Sequence, residues 1–178
     1  MRKRVTKETL HAFMEKLAKA AQSAGKIYFT GGATALLLGF REQTLDLDVK
    51  LDPEPKGAFE AIARLKNELD LNIELASPDN FIPPGPNWRS HSRHIATIGQ
   101  LEFFHYDFVL QALSKLERGY TQDLDDVANL LRHGLVTPAE LRARFNEIAP
   151  DLIRYPALDP QQFKSKIDKF LDQAAKYD

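Results

Sequence analysis

The stretch from Tyr28 to Leu51 reads YFTGGATALLLGFREQTLDLDVKL, and its reading decides the fold. A short apolar strand over Lys26 to Thr30 runs into Gly31-Gly32, and a helix is expected over Ala33 to Phe40. The next segment, Thr44 to Leu51, alternates Leu45, Leu47, Val49 and Leu51 with Asp46, Asp48 and Lys50, the pattern of a strand with one face in the core. Alternate residues of a strand share a face, so Asp46 and Asp48 project the same way. Two carboxylates at one place repel unless a cation lies between them. The simplest occupant is Mg²⁺, a hard ion that takes oxygen ligands and bridges protein carboxylates to substrate phosphates.

A strand, a glycine turn and a helix N-terminus also favour anions, because backbone N–H groups and the helix dipole point at the ligand. This combination resembles the nucleotidyltransferase superfamily, the fold of DNA polymerase beta and the aminoglycoside nucleotidyltransferases. Its signature is a Gly-Gly or Gly-Ser pair, a helix, then Asp-x-Asp, and here Gly31-Gly32 and Asp46-Leu47-Asp48 stand in those places. The resemblance implies an α/β (α+β) fold, with a small mixed sheet flanked by helices and followed by a helical C-terminal part. It also implies Mg²⁺-dependent transfer of a nucleoside monophosphate from a nucleoside triphosphate to a hydroxyl on a protein, RNA or small molecule. Two ions are the expectation for this chemistry, held by Asp46 and Asp48.

The superfamily takes a third carboxylate from a neighbouring strand. Glu74, on the expected strand Leu71 to Ala76, is the candidate, as a metal ligand or as acceptor of the attacking hydroxyl's proton. Asp107 is its rival. Gly31 and Gly32 would present amides to the β- and γ-phosphates. Many superfamily members carry serine at the second position. This chain has Gly32 and then Ala33, leaving Thr30 or Thr34 as substitutes for the hydroxyl.

The chain has 178 residues, 43% of them hydrophobic and 28% charged, which suits a globular protein with a proper core. Its net charge of −1 argues against bulk electrostatic capture of nucleic acid and fits a nucleotide-sized ligand better. It has no cysteine, which excludes disulfides, zinc–thiolate sites and cysteine nucleophiles. The basic start MRKRVTKETLHAF lacks an apolar region after it and does not read as a secretory signal. The longest apolar run, around Ala35 to Leu38, is too short to span a bilayer. A cytoplasmic protein without a membrane partner is the expectation.

Thr6 to Ala24 reads as an amphipathic helix, with Leu10, Phe13, Met14, Leu17 and Ala21 on one face and Gly25 just past its end. Ala58 to Leu69 reads as another, with Phe59, Ile62, Leu65 and Leu69 together. Ser77 to Trp88 is too proline-rich for regular structure. His94 to Ile98 and Leu101 to His105 read as a hairpin around Gly99-Gln100. Beyond Tyr106 the pattern is helical, over Phe108 to Leu116, Asp123 to Leu131, Pro138 to Ile148 and Pro160 to Ala175. Thr137-Pro138-Ala139-Glu140 is a capping box with proline at the first helical position. The expected organisation is therefore an α/β core over residues 1–107 and a helical part over residues 108–178, packed on it.

Lys115, Arg118, Asp123 and Asp126 form K-x-x-R-x-x-x-x-D-x-x-D. With the earlier motifs, this resembles the abortive-infection type nucleotidyltransferase toxins and their uncharacterised bacterial relatives, over Tyr28 to about Leu135. The resemblance implies that Lys115 meets nucleotide phosphates, with Asp123 and Asp126 orienting it, and that a cognate protein partner exists in a toxin–antitoxin or phage-defence pair. The alternative is a helix start favoured by acids beside ordinary surface cations. Arg89, His91, Arg93 and His94 form a basic cluster, and Trp88 and Tyr106 are either base-stacking or buried aromatics. A non-catalytic nucleotide- or partner-binding relative is the competing function. A phosphohydrolase of the His-Asp kind is disfavoured, because no histidine precedes an aspartate directly.

Overall fold

The computed structural model describes residues 1–175. The chain is a mixed α/β protein. In chain order it forms α1 (Lys7–Ala20), β1 (Gly25–Thr30), α2 (Gly31–Leu37), β2 (Asp46–Leu51), α3 (Ala58–Glu68) and β3 (Asn72–Leu75). There follow α4 (Trp88–His91), β4 (Arg93–Ile98), β5 (Leu101–His105), α5 (Phe108–Arg118), α6 (Thr121–Arg132), α7 (Pro138–Ile148) and α8 (Pro160–Ala174). Contacts divide the chain into two units: residues 1–77 with 92–106, and residues 78–91 with those from 107 onward. The proline-rich segment thus groups with the C-terminal helices. Residues 176–178, at the end of the expected helical part, lie outside the described residues.

The first unit holds one five-stranded sheet in the order β3-β2-β1-β5-β4. β1 runs antiparallel to β2 and parallel to β5, β2 runs parallel to β3, and β4 and β5 form the expected hairpin. One face of the sheet carries Ile27, Phe29, Leu47, Val49, Ile73 and Phe103, which form a single buried cluster with Phe13 and Leu17 of α1, Leu36 of α2 and Leu65 of α3. The opposite face carries the polar partners of the alternation, Asp46, Asp48, Asn72 and Glu74. Removing such apolar side chains from water is the dominant stabilising contribution.

Local details differ from the sequence expectations for physical reasons. Helix α1 opens on a capping box between Thr6 and Thr9 and ends at Ala20, so Gly25 does not close it. Gly25 instead opens β1, where a β-carbon would collide with the Pro55 ring and the Pro53 carbonyl. Helix α2 begins at Gly31 itself rather than at Ala33. Strand β2 starts at Asp46, because Thr44 bonds its backbone to Val5 in both directions, at 2.8 and 2.9 Å. Leu45, expected in the core, is consequently exposed. Phe59 is exposed as well, and the buried face of α3 is Ala58, Ala61, Ile62 and Leu65.

The second unit is built around α5, which packs against α6, α7 and α8. Leu110, Leu113, Val127, Leu141, Ile148, Phe163 and Ile167 are buried there, and Phe145 meets Phe163 edge-on at 5.1 Å. The expected capping box of α7 is present, with Thr137 and Glu140 satisfying each other's backbone N–H. Asp159 caps α8 by accepting from Gln161 and Gln162. The proline-rich segment contains one 3₁₀ turn, Pro78–Asn80, and is held by the Tyr155 hydroxyl, which donates to the Asp79 carbonyl at 3.0 Å. No helix among the described residues is long and apolar enough to cross a membrane.

Candidate functional site: carboxylates beside a diglycine turn

The register of three strands sets the site. Thr30 pairs with Asp48 and Asp48 with Glu74, while Asp46 pairs with Asn72 in the neighbouring row. All lie on the face opposite the buried Leu47, Val49 and Ile73. Asp46 and Asp48 are half-buried, and Glu74 is exposed.

Strand β1 ends at Thr30, so its pairing with Asp48 brings that carboxylate to the diglycine turn. A β-carbon on Gly31 would lie 3.0 Å from Asp48 Oδ2, and Gly31 has φ +57, a conformation that favours glycine. Position 31 thus needs glycine both for its backbone and for the approach of the carboxylate. At Gly32 the neighbour differs: the place of a β-carbon is taken by the Thr44 hydroxyl.

Asn72 is the residue that the sequence reading did not single out. Its amide nitrogen donates to Asp46 Oδ1 at 2.6 Å and to Glu74 Oε1 at 3.0 Å. An uncharged donor thereby joins two carboxylates that would otherwise repel. The alternation in LNIELA places Asn72 and Glu74 on one face, but the pairing of Asn72 with Asp46 depends on sheet register. Among the described residues, no three His, Asp or Glu side chains converge on a point where a metal ion would be held.

Thr34 is buried, and its hydroxyl donates to the Phe29 carbonyl at 3.1 Å. Having spent its proton there, it accepts from His105 Nδ1 at 3.2 Å, which sets the histidine tautomer. Burial, with the Arg93 charge as a smaller cause, lowers the His105 pKa from 6.5 to about 4, so the imidazole is neutral near pH 7. Thr34 therefore ties α2 to the end of β5. Thr30 is buried too and makes no capping bond through its side chain.

The remaining candidates belong to the second unit. Lys115 is buried, and its ammonium donates to Asp126 Oδ2 at 2.6 Å and to Asp123 Oδ1 at 3.3 Å. Arg118 also donates to Asp123 Oδ1, at 2.7 Å. The spacing in the sequence thus becomes one ion network between α5 and the start of α6. Asp123 Oδ2 is buried without a hydrogen-bond partner among the described residues.

Asp107, the rival third acid, caps α5 by accepting from Val109 and Leu110 through Oδ1, while Oδ2 pairs with the buried Arg144. Arg144 also approaches His91 at 3.1 Å. The basic cluster is divided, since Arg89 and His91 lie on α4, and Arg93 and His94 on β4. Trp88 and Tyr106 are both buried, with the Arg89 guanidinium 4.6 Å from the Trp88 ring centre.

Comparison of the chain with protein-family models, with curated proteins and with solved structures found no match.

Proposed function

We propose that this chain is a Mg²⁺-dependent nucleotidyltransferase that moves a nucleoside monophosphate from a nucleoside triphosphate to a hydroxyl acceptor. The observation that carries this reading is the approach of Asp48 to Gly31, which joins a strand-borne pair of acids to a diglycine turn. An all-oxygen donor set suits a hard cation, and Asp46 with Asp48 would hold it. When bound, Mg²⁺ supplies charge neutralisation for the triphosphate and the departing pyrophosphate. Gly31 and Gly32 would offer amides to the β- and γ-phosphate oxygens. Glu74, exposed beside them, would accept the acceptor hydroxyl's proton as its oxygen bonds to the α-phosphorus and pyrophosphate leaves. The resemblance to the abortive-infection toxins suggests a cognate protein partner.

A second reading, a non-catalytic nucleotide- or partner-binding relative, is favoured by Asn72. Its amide already satisfies oxygens of Asp46 and Glu74. Incubation of the purified chain with each labelled nucleoside triphosphate, Mg²⁺ and a cell lysate separates the two. Transfer of label to protein, RNA or a metabolite, lost in the Asp46→Asn/Asp48→Asn variant, is the expected result. Metal-dependent nucleotide binding without transfer would overturn catalysis in favour of the second reading.

A further inference from the structure

Residues 1–7 read MRKRVTK and carry four cations, Arg2, Lys3, Arg4 and Lys7, without an acid, in a chain whose net charge is −1. Like charges this close repel one another and favour a loose segment. Here the segment is fastened. The Lys3 N–H donates to the Asp70 carbonyl at 2.8 Å, and Val5 and Thr44 exchange two backbone bonds at 2.8 and 2.9 Å. The Arg2 guanidinium donates to the Lys66 and Leu71 carbonyls at 2.7 and 2.5 Å and to Asn67 Oδ1 at 3.1 Å. Val5 is fully buried. The arm is therefore tied to the chain just before β2 and just before β3, by its backbone and by Arg2. Lys3, Arg4 and Lys7 take no part in this: all three are exposed, and among the described residues no ion pair or hydrogen bond involves their side chains.

We propose that this arm is a docking surface for the phosphodiester backbone of a single-stranded nucleic acid, with Lys3, Arg4 and Lys7 meeting its phosphates. The inference uses none of the carboxylates or glycines of the nucleotidyl-transfer reading and stands apart from it. Three unpaired cations held in one place repel, and a polyanion relieves that repulsion. Because the arm is already ordered, docking does not have to order it. A lipid surface calls for an apolar anchor beside the cations, but Val5 is in the core and Met1 is the one exposed apolar side chain of the segment. The rest of the chain is net negative, which confines the contact to the arm.

Fluorescence anisotropy of the full chain with a labelled oligouridylate, over a salt series and without metal or nucleotide, tests this. Wild type is expected to bind with a log–log salt slope of about −2, as for three phosphates of a single strand. Lys3→Ala/Arg4→Ala should bind about tenfold more weakly at low salt, with the slope reduced by about 1.4. Its melting temperature should be unchanged, since neither side chain has a partner in the fold. Lys164→Ala/Lys169→Ala on α8 makes the same change in net charge elsewhere and should bind as wild type does. Equal weakening by the two double variants would overturn the inference, because net charge alone would then govern binding. Failure of wild type to bind the oligonucleotide, or binding to phosphatidylserine vesicles only, would overturn it as well.

Discussion

Asn72 Nδ2 lies 2.6 Å from Asp46 Oδ1, across the parallel pair of β3 and β2, and the same nitrogen reaches Glu74. Asp46 and Glu74 are therefore joined by an uncharged donor. Replacing it by a third acid, Asn72→Asp, should convert two attractive contacts into like-charge repulsion. The expected cost is about 1–3 kcal/mol in chelator. Millimolar Mg²⁺ should recover much of it, because an ion that binds only the folded state stabilises by mass action. Urea unfolding with and without Mg²⁺ checks this; a metal-independent loss would argue that the carboxylates do not share a cation.

Gly32 and Thr44 are coupled sterically. Gly32→Ala should cost about 1–3 kcal/mol, the usual range for overpacking, because the new β-carbon meets the Thr44 side chain. Thr44→Gly in the same chain should recover part of that loss. A double-mutant cycle on denaturant midpoints measures the coupling. Simple additivity would contradict the close approach.

Lys115→Met should destabilise the second unit by about 3–5 kcal/mol, since it removes the buried cation shared by Asp126 and Asp123 and leaves Asp123 only the half-exposed Arg118. Adding Asp126→Asn should relieve much of this. Urea unfolding followed by circular dichroism gives both values, and a loss below about 1 kcal/mol would indicate that the pair is solvated.

His105 should make the fold sensitive to mild acid. Its folded pKa, about 4, lies below the unfolded value of 6.5, so between those limits the unfolded chain binds the extra proton. Stability from this group is undiminished above pH 6.5 and falls by about 1.4 kcal/mol per pH unit as pH drops towards 4. His105→Gln should flatten that slope between pH 6.5 and 5, above most carboxylate titrations. An NMR titration of the His105 ring that gave an ordinary midpoint would refute the prediction.

Much of this protein was legible from residue order. The alternation through Asp46, Leu47, Asp48 and Val49 is a local property of an extended chain, and so is the face it creates. The helices beyond Tyr106 carry their own periodicity and start signals, as Thr137 and Glu140 illustrate. The resemblance carried by Lys115, Arg118, Asp123 and Asp126 set these acids beside Lys115, against the alternative of separate surface charges, and the turn between α5 and α6 brings them together.

Other features depended on contacts between distant segments. Gly25 looked like a helix end and is a strand residue, because Pro53 and Pro55 pack upon it. Leu45 looked like core, but the Val5 bridge holds the adjacent Thr44 outside the strand. Asn72 joins Asp46 through strand register, and Thr44 fills the space beside Gly32 through the anchored N-terminal arm. Sequence alone determined the strand–diglycine–helix–strand order and the common face of Asp46 and Asp48, since local backbone periodicity sets both. Only tertiary structure decided which donor bonds Asp46 and what stands beside Gly32, since both depend on segments brought together in the fold.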